Sequence, residues 1–387
     1  MTDHTKLIKF AQALVRHPSL SGDEAAVAQR VADEMTALGY DQVTVDQFGN
    51  VVGIIDGSAS GPTVLLDGHL DTVGIAPGVT WQRDPFCGDI VTTDAGDALY
   101  GRGSADMKGA VAAMIHGAAG IERAGLRGRI VVSASTLEEV LEGVALAAVM
   151  TRFPPDFVII GEPSGLEIVR GGRGRAEVHL ETIGRPSHSS APQQGRNAVL
   201  DMQRVIASVE GIQLPDHPDM GPAIFALTDI ISQPYPGHSV IPSLCRVTYD
   251  RRLLPGERAD DVLAAITQAD GLDDIRLNAV IGEGRYTAYT GYETVHRKFF
   301  PAWLRSEDDA YVRTALNAIG QTGLAPRSRA YRFCTNAAYS AGVADAPTIG
   351  FGPADEHDAH IVDERLLVDD LLAAAQGYAA LITAVAS

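Results

Sequence analysis

The sequence predicts an α/β fold, a mostly parallel sheet interrupted by one module of antiparallel character. Three observations carry that reading. Short apolar runs stop abruptly at acids or a histidine: Val64-Leu65-Leu66 at Asp67-Gly68-His69, 129–135 at Thr136-Leu137-Glu138-Glu139, and Phe157-Val158-Ile159-Ile160 at Gly161-Glu162-Pro163. Runs of this length closed by turn residues read as buried strands, and helical stretches lie between them. From about Ala176 the style changes, with Val178, Leu180 and Thr182 alternating against Glu177, His179 and Glu181, as in a half-exposed antiparallel strand. At 387 residues the chain is also longer than one core comfortably serves, so two domains are expected.

In chain order, 7–15 reads as a first helix. Ser21-Gly22-Asp23-Glu24 reads as a capping box opening a helix that closes near Gly39. Strands are expected at 42–48 and 51–56 around Gly49-Asn50, then at 64–66, followed by a long loop containing Trp81 and Pro85. Gly101-Arg102-Gly103-Ser104-Ala105-Asp106-Met107-Lys108-Gly109 leads into an alanine-rich helix, 110–124. The strand 129–135, a helix at 140–153 and the strand 157–160 complete the first part. Strand 176–183, helix 197–209, strands 223–231 and 245–250, helix 259–268 and a further strand form a ferredoxin-like α+β module. Helix 306–319, strand 347–351 and helix 366–385 return to the first domain. The expected division is 1–175 with 293–387, and an insert at 176–292.

Lys+Arg 31 against Asp+Glu 49 gives a net charge of −18, which argues against nucleic acid or an anionic membrane as partner. The polar start Met1-Thr2-Asp3-His4 does not read as a signal peptide, and no run reads as a membrane span. Cys87, Cys245 and Cys334 lie far apart without C-x-x-C spacing, so a reducing cytoplasm is expected, without disulfides.

The chemistry concentrates where the strands end. Side chains two apart on a strand point the same way, so His69 and Asp71 leave the sheet edge together. Ligand sites in open α/β sheets lie beyond the carboxyl ends of strands. Asp106, Glu138, Glu139 and Glu162 join them there. Crowded carboxylates repel unless cations sit among them. Gly101-x-Gly103-x-x-Asp106 lacks the third glycine of a dinucleotide fingerprint, so no nucleotide site is read. His4, His17, His116, His179, His217 and His296 fit no motif and read as surface or structural residues.

His69-x-Asp71, the Gly101–Gly109 block, Glu138-Glu139, Gly161-Glu162-Pro163 and Ala359-His360-x-x-Asp363-Glu364 together resemble the di-zinc family of aminoacylases, acetylornithine deacetylases, succinyl-diaminopimelate desuccinylases and glutamate carboxypeptidases. The match runs from near residue 10 almost to the carboxyl end, in the family's order and spacing. It implies a zinc-exopeptidase-like catalytic domain with an inserted lid that dimerises. It also implies two zinc ions per subunit, with cobalt or manganese as substitutes. His69 and Glu162 would hold one, Glu139 and His360 the other, and Asp106 would bridge, leaving open positions for water. Glu138 is the implied general base, and Asp71 would orient His69. Exchanging Glu138 and Glu139 is the rival assignment, and His357 is the rival to His360.

In the insert, Ser187-His188-Ser189 resembles the family's loop whose histidine reaches the partner subunit's active site and donates to the developing oxyanion, which implies a homodimer. Arg252 matches the arginine that receives the substrate carboxylate, with Arg251 as rival. Gly237-His238-Ser239-Val240-Ile241-Pro242 carries serine where many members have asparagine, and Cys334-Thr335-Asn336 replaces a Gly-Thr-Asp type of turn. Both segments are expected to border the substrate, which places His238 and Asn336 among the substrate-binding candidates. The implied reaction is hydrolysis of an N-acyl amino acid or small dipeptide. The alternatives are an aminopeptidase acting on free-amine peptides and, from another class, a non-catalytic metal-dependent binding protein.

Overall fold

A computed structural model describes residues 3–325 and 327–386, so Met1 and Thr2 of the polar start lie outside the described residues. Its large sheet has nine strands. The centre is parallel: Arg127–Ser135, Ala59–His69, Phe157–Ile160 and Thr348–Gly350 lie side by side. Antiparallel strands Gln42–Val45 and Val51–Asp56 close one edge. Residues alternate between the two buried faces, Val64 and Leu66 in the helix-covered core and Leu65 in the smaller one opposite.

Helix Gly109–Ala119 is buried along almost its whole length, and its small residues let Val368–Ala386 approach closely. A Cβ on Gly117 would stand 2.6 Å from the Ala375 carbonyl oxygen. Helix Val368–Ala386 is, by length and composition, apolar enough to cross a membrane, contrary to the reading that no run is. Leu371, Ala375, Tyr378 and Ile382 nevertheless sit in the core, as in a buried helix of a globular domain.

The inserted sheet runs Ile224–Gln233, Leu244–Leu253, Gly174–Ile183, Leu277–Ile281. Counted from the other edge in chain order this is 4-1-3-2, antiparallel throughout, with Ala198–Glu210 and Ala259–Thr267 packed on its core face. The chain enters the insert from Ile168–Gly172 through Arg173. It returns through Phe299–Phe300, which pairs with Arg175 and Ala176, and Trp303–Leu304, which pairs with Gly171 and Gly172. The two crossings therefore lie against each other. A Cβ on Gly174 would meet the Phe300 carbonyl oxygen at 2.3 Å.

Some local expectations are corrected. No capping box forms at Ser21, because Glu24 is buried and turned inward and helix Ala25–Ala37 starts without a side-chain cap. The loop after His69 contains a hairpin, Ile90–Thr93 with Gly96–Tyr100. Strands Ile168–Gly172 and Ser328–Tyr331 extend the large sheet where none was read.

Candidate active site

The strand carboxyl ends deliver His69, Glu138, Glu139 and Glu162 to one edge, and the turn before helix Gly109–Ala119 delivers Asp106. The two oxygens of Asp106 part company: Oδ1 lies 3.0 Å from His69 Nε2, and Oδ2 lies 3.1 Å from His360 Nε2. His360 Nε2 is also 3.0 Å from Glu139 Oε1, while Glu162 Oε1 stands 3.7 Å and Glu138 Oε2 3.9 Å from His69 Nε2. His360 holds φ 61°, a left-handed conformation that non-glycine residues rarely adopt, of the kind that collects at functional sites. His357 sits exposed on the short turn Glu356–Asp358 and takes no part in the cluster.

Electrostatics match the crowding. Burial, with the neighbouring Glu162, Glu142 and Glu139 carboxylates, drives the Glu138 pKa well above the usual range despite His69. Burial does the same at Glu162, aided by Asp106. Burial would also raise Asp106, but hydrogen bonds from His360 and His69 pull it below the usual value. Bonds to Asp106 and Glu139 lift His360 to about 10. Glu138 Oε1 is buried without a hydrogen-bond partner among the described residues. Nitrogen and oxygen donors grouped this way suit cations: His69, Glu138 and Glu162 form one candidate group, and His69, Asp106 and Glu139 another.

Three buried carboxylates hold the loops that carry these groups. Asp71 Oδ1 accepts the backbone N–H of Glu138 and Oδ2 that of Glu139, each at 3.1 Å, and Ser21 Oγ donates to Oδ2 at 2.7 Å. This corrects the role expected of Asp71. His69 Nδ1 instead meets the Asp71 backbone carbonyl at 2.8 Å, and the carboxylate stands back at 3.8 Å. An Nδ1–H on that carbonyl leaves the Nε2 lone pair for a metal. Glu24 Oε1 accepts from Leu137 N at 3.2 Å and Gly22 N at 2.9 Å. Glu364 Oε1 accepts from Ala105 N at 2.9 Å and Asp106 N at 3.1 Å, and its Oε2 accepts from Arg102 at 2.5 Å. The sequence reading gave Glu24 and Glu364 no role in the site. Glu364 sits in a motif that was recognised; Glu24 carried only a misleading capping signal.

A cavity of about 370 Å³ opens over the cluster, with Arg175, Arg252, Asp250, Glu142, Phe333 and Cys334 in its wall. Arg251 is buried in the insert, bonded to Glu257 and stacked on Phe225, and of this neighbouring pair it is Arg252 that lines the cavity. Asn336 is corrected from substrate ligand to structural residue. It is buried, donates to Asp67 Oδ2 at 2.7 Å and Ser135 Oγ at 3.1 Å, and accepts from Gly143 N at 2.6 Å. His188 and His238 do not line the cavity of their own chain. Their loops join at the exposed end of the insert, where Ser189 N donates to Ser239 O at 3.0 Å and Ile241 N to Ser187 O at 2.9 Å.

Residues 65–384 match the profile of Peptidase family M20/M25/M40. YgeY of Escherichia coli (strain K12) is 31% identical over 97% of this chain and 93% of its own. Acetylornithine deacetylase of Vibrio vulnificus (strain CMCP6) is 28% identical over 94% and 92%. The solved Bacillus subtilis YXEP protein, described as a dinuclear metal binding peptidase, superposes with a TM-score of 0.73 at 15% identity, covering 98% of this chain and 97% of that one.

Proposed function

This chain belongs to Peptidase family M20/M25/M40, and from that premise we propose that it is a di-zinc amidohydrolase cleaving an N-acyl amino acid or a small dipeptide. One observation carries the reading: Asp106 offers one oxygen beside His69 and the other beside His360, as a bridge between two cations requires. His69 and Glu162 would hold one zinc, Glu139 and His360 the other, and cobalt or manganese could replace them. When bound, the pair supplies Lewis acidity to the attacking water and the scissile carbonyl. The likeness to a deacetylase, and to a protein whose description names two metals, supports both parts of the proposal.

The chain's own groups do the rest. Glu138 stands next to a ligand without a bonded partner at Oε1, so it can take the water proton and return it to the departing nitrogen. Arg252 presents its guanidinium to the substrate carboxylate. His188 of the partner subunit donates to the carbonyl oxygen as charge develops, so the working unit is a homodimer. His238 lies in the loop joined to that of His188 and reaches the same substrate. Three free cysteines support a reducing, cytoplasmic setting.

The experiment is an amine-release screen of zinc-loaded protein over N-acetyl, N-succinyl and N-carbamoyl amino acids, dipeptides and longer free-amine peptides, repeated with Glu138→Gln. We expect turnover of a blocked amino acid or dipeptide, and a fall of about 10²–10⁴-fold in the variant with its metal retained. Preference for longer free-amine peptides would point to an aminopeptidase, and a fully active Glu138→Gln would remove the mechanism. Bound metal without turnover of any member would favour a binding protein.

A further inference from the structure

Four charged side chains of alternating sign run along one wall of the cavity. Glu142 Oε1 accepts from Arg175 Nη1 at 2.7 Å, Arg175 Nε donates to Asp250 Oδ2 at 3.0 Å, and Asp250 Oδ1 is 2.7 Å from Arg252 Nε. All four line the cavity, and the row crosses from one part of the fold to the other. Glu142 lies three residues beyond Glu139, on the segment that carries Glu138 and Glu139. Arg175, Asp250 and Arg252 stand on the lid sheet.

The register explains the arrangement. Arg252 and Arg175 face each other directly across neighbouring strands, where like charges repel. Asp250 lies between the two guanidinium groups, hydrogen-bonded to Arg175 and ion-paired with Arg252. Arg175 is engaged on its other side by Glu142, so its fork is taken up by the protein. Arg252 pairs with Asp250 through Nε, and among the described residues no hydrogen bond engages its outer nitrogens. It keeps about a third of its side chain exposed, against less than a fifth for Arg175. One guanidinium is thus spent on structure while its neighbour is held for a ligand.

We propose that Asp250, Arg175 and Glu142 are positioning residues that hold Arg252 for a substrate carboxylate and fasten it to the segment bearing Glu138. This rests on the amidohydrolase reading for the identity of the ligand and goes beyond it in assigning what sets the selectivity for an acid. The row fixes the distance between the group that grips the carboxylate and the group that handles the proton. Placement of reacting groups depends on such spacing.

The test uses the full-length, zinc-loaded chain carrying Glu138→Gln, so that binding is read without turnover. Calorimetry compares N-acetyl-L-alanine with N-acetyl-L-alaninamide, which lacks the carboxylate, and the N-acetyl-L-methionine pair in the same way. The parent should prefer the acid. Asp250→Asn should cut that preference at least about tenfold, with amide binding and zinc content unchanged, and Glu142→Gln should cut it less but in the same direction. Circular dichroism confirms that both variants are folded, and Glu142→Gln stands in should Asp250→Asn fail to fold. Equal binding of acid and amide by the parent, or an undiminished preference in the folded variants, overturns the proposal. An intact preference that Asp250→Asn abolishes, while the chain with Glu138 intact hydrolyses no member of the amine-release screen, overturns the hydrolase reading alone.

Discussion

The carboxylate of Asp71 takes the backbone N–H of Glu138 at 3.1 Å, and its second oxygen takes that of Glu139 at the same distance. A single side chain thereby sets the backbone under both the proposed base and a proposed metal ligand. Asp71→Asn keeps the volume but removes one acceptor and the charge. We expect a loss of roughly 1–3 kcal/mol in stability, read from denaturant midpoints. A fall of about 10–100-fold in zinc affinity should accompany it, read by competition with a chelating dye. An unchanged affinity would show that the backbone holds its shape without this acid.

The two imidazoles differ in access. The His360 side chain is 48% exposed and that of His69 is 2% exposed. Chelation should abolish activity, zinc should restore it, and metal addition should raise the melting temperature. His360→Ala should retain about one zinc per chain after desalting, whereas His69→Ala should retain less. Metal analysis of the desalted proteins decides the point.

Strand Ile224–Gln233 forms an edge of the inserted sheet among the described residues and exposes Ile224, Leu227, Ile230 and Ile231. An apolar edge of that kind is a template for pairing with another copy. We expect Ile230→Lys to shift the protein toward monomer in analytical ultracentrifugation. Turnover should fall with the dimer, while metal content stays constant, because His188 would no longer reach its neighbour's site. A dimer that survives the substitution would place the interface elsewhere.

His116 packs on Phe10, with ring centres 5.6 Å apart, and meets Glu34 at 3.0 Å, itself bonded to Arg30. Burial lowers its pKa below 6.5, outweighing Glu34. The unfolded chain therefore takes up a proton that the folded chain refuses, and stability is lost as pH falls below about 6.5. The drop in melting temperature between about pH 7.5 and about pH 5.5 should be smaller in His116→Gln than in the parent.

The sheet and the grouping of acids and imidazoles at its edge are legible because each depends on a local signal. An apolar run ending in an acid announces both a buried strand and the edge where it stops, as at Ile160-Gly161-Glu162. The segment 168–172 escaped because Arg170, Gly171 and Gly172 blur the run. Ile90–Thr93 escaped because only its pairing with Gly96–Tyr100 distinguishes it from loop. Asn336 and Glu24 were misread for a shared reason. Each is a polar residue with a partner far away in sequence, Asp67 for Asn336 and Leu137 for Glu24, and spacing along the chain carries no trace of such bonds. The Arg175–Asp250–Arg252 row likewise follows from strand register, which periodicity alone does not fix.

The paired crossings at Gly174 and Phe300 have a mechanical consequence. Two segments bonded edge to edge behave as a leaf spring: soft to bending out of their plane, stiff to shear within it. The insert would thus resist sliding along the cavity, so the backbone backs up the span from Arg252 to Glu138 that the charged row sets. Guest molecules would be gauged by that fixed span, a geometric filter lying partly in the backbone itself.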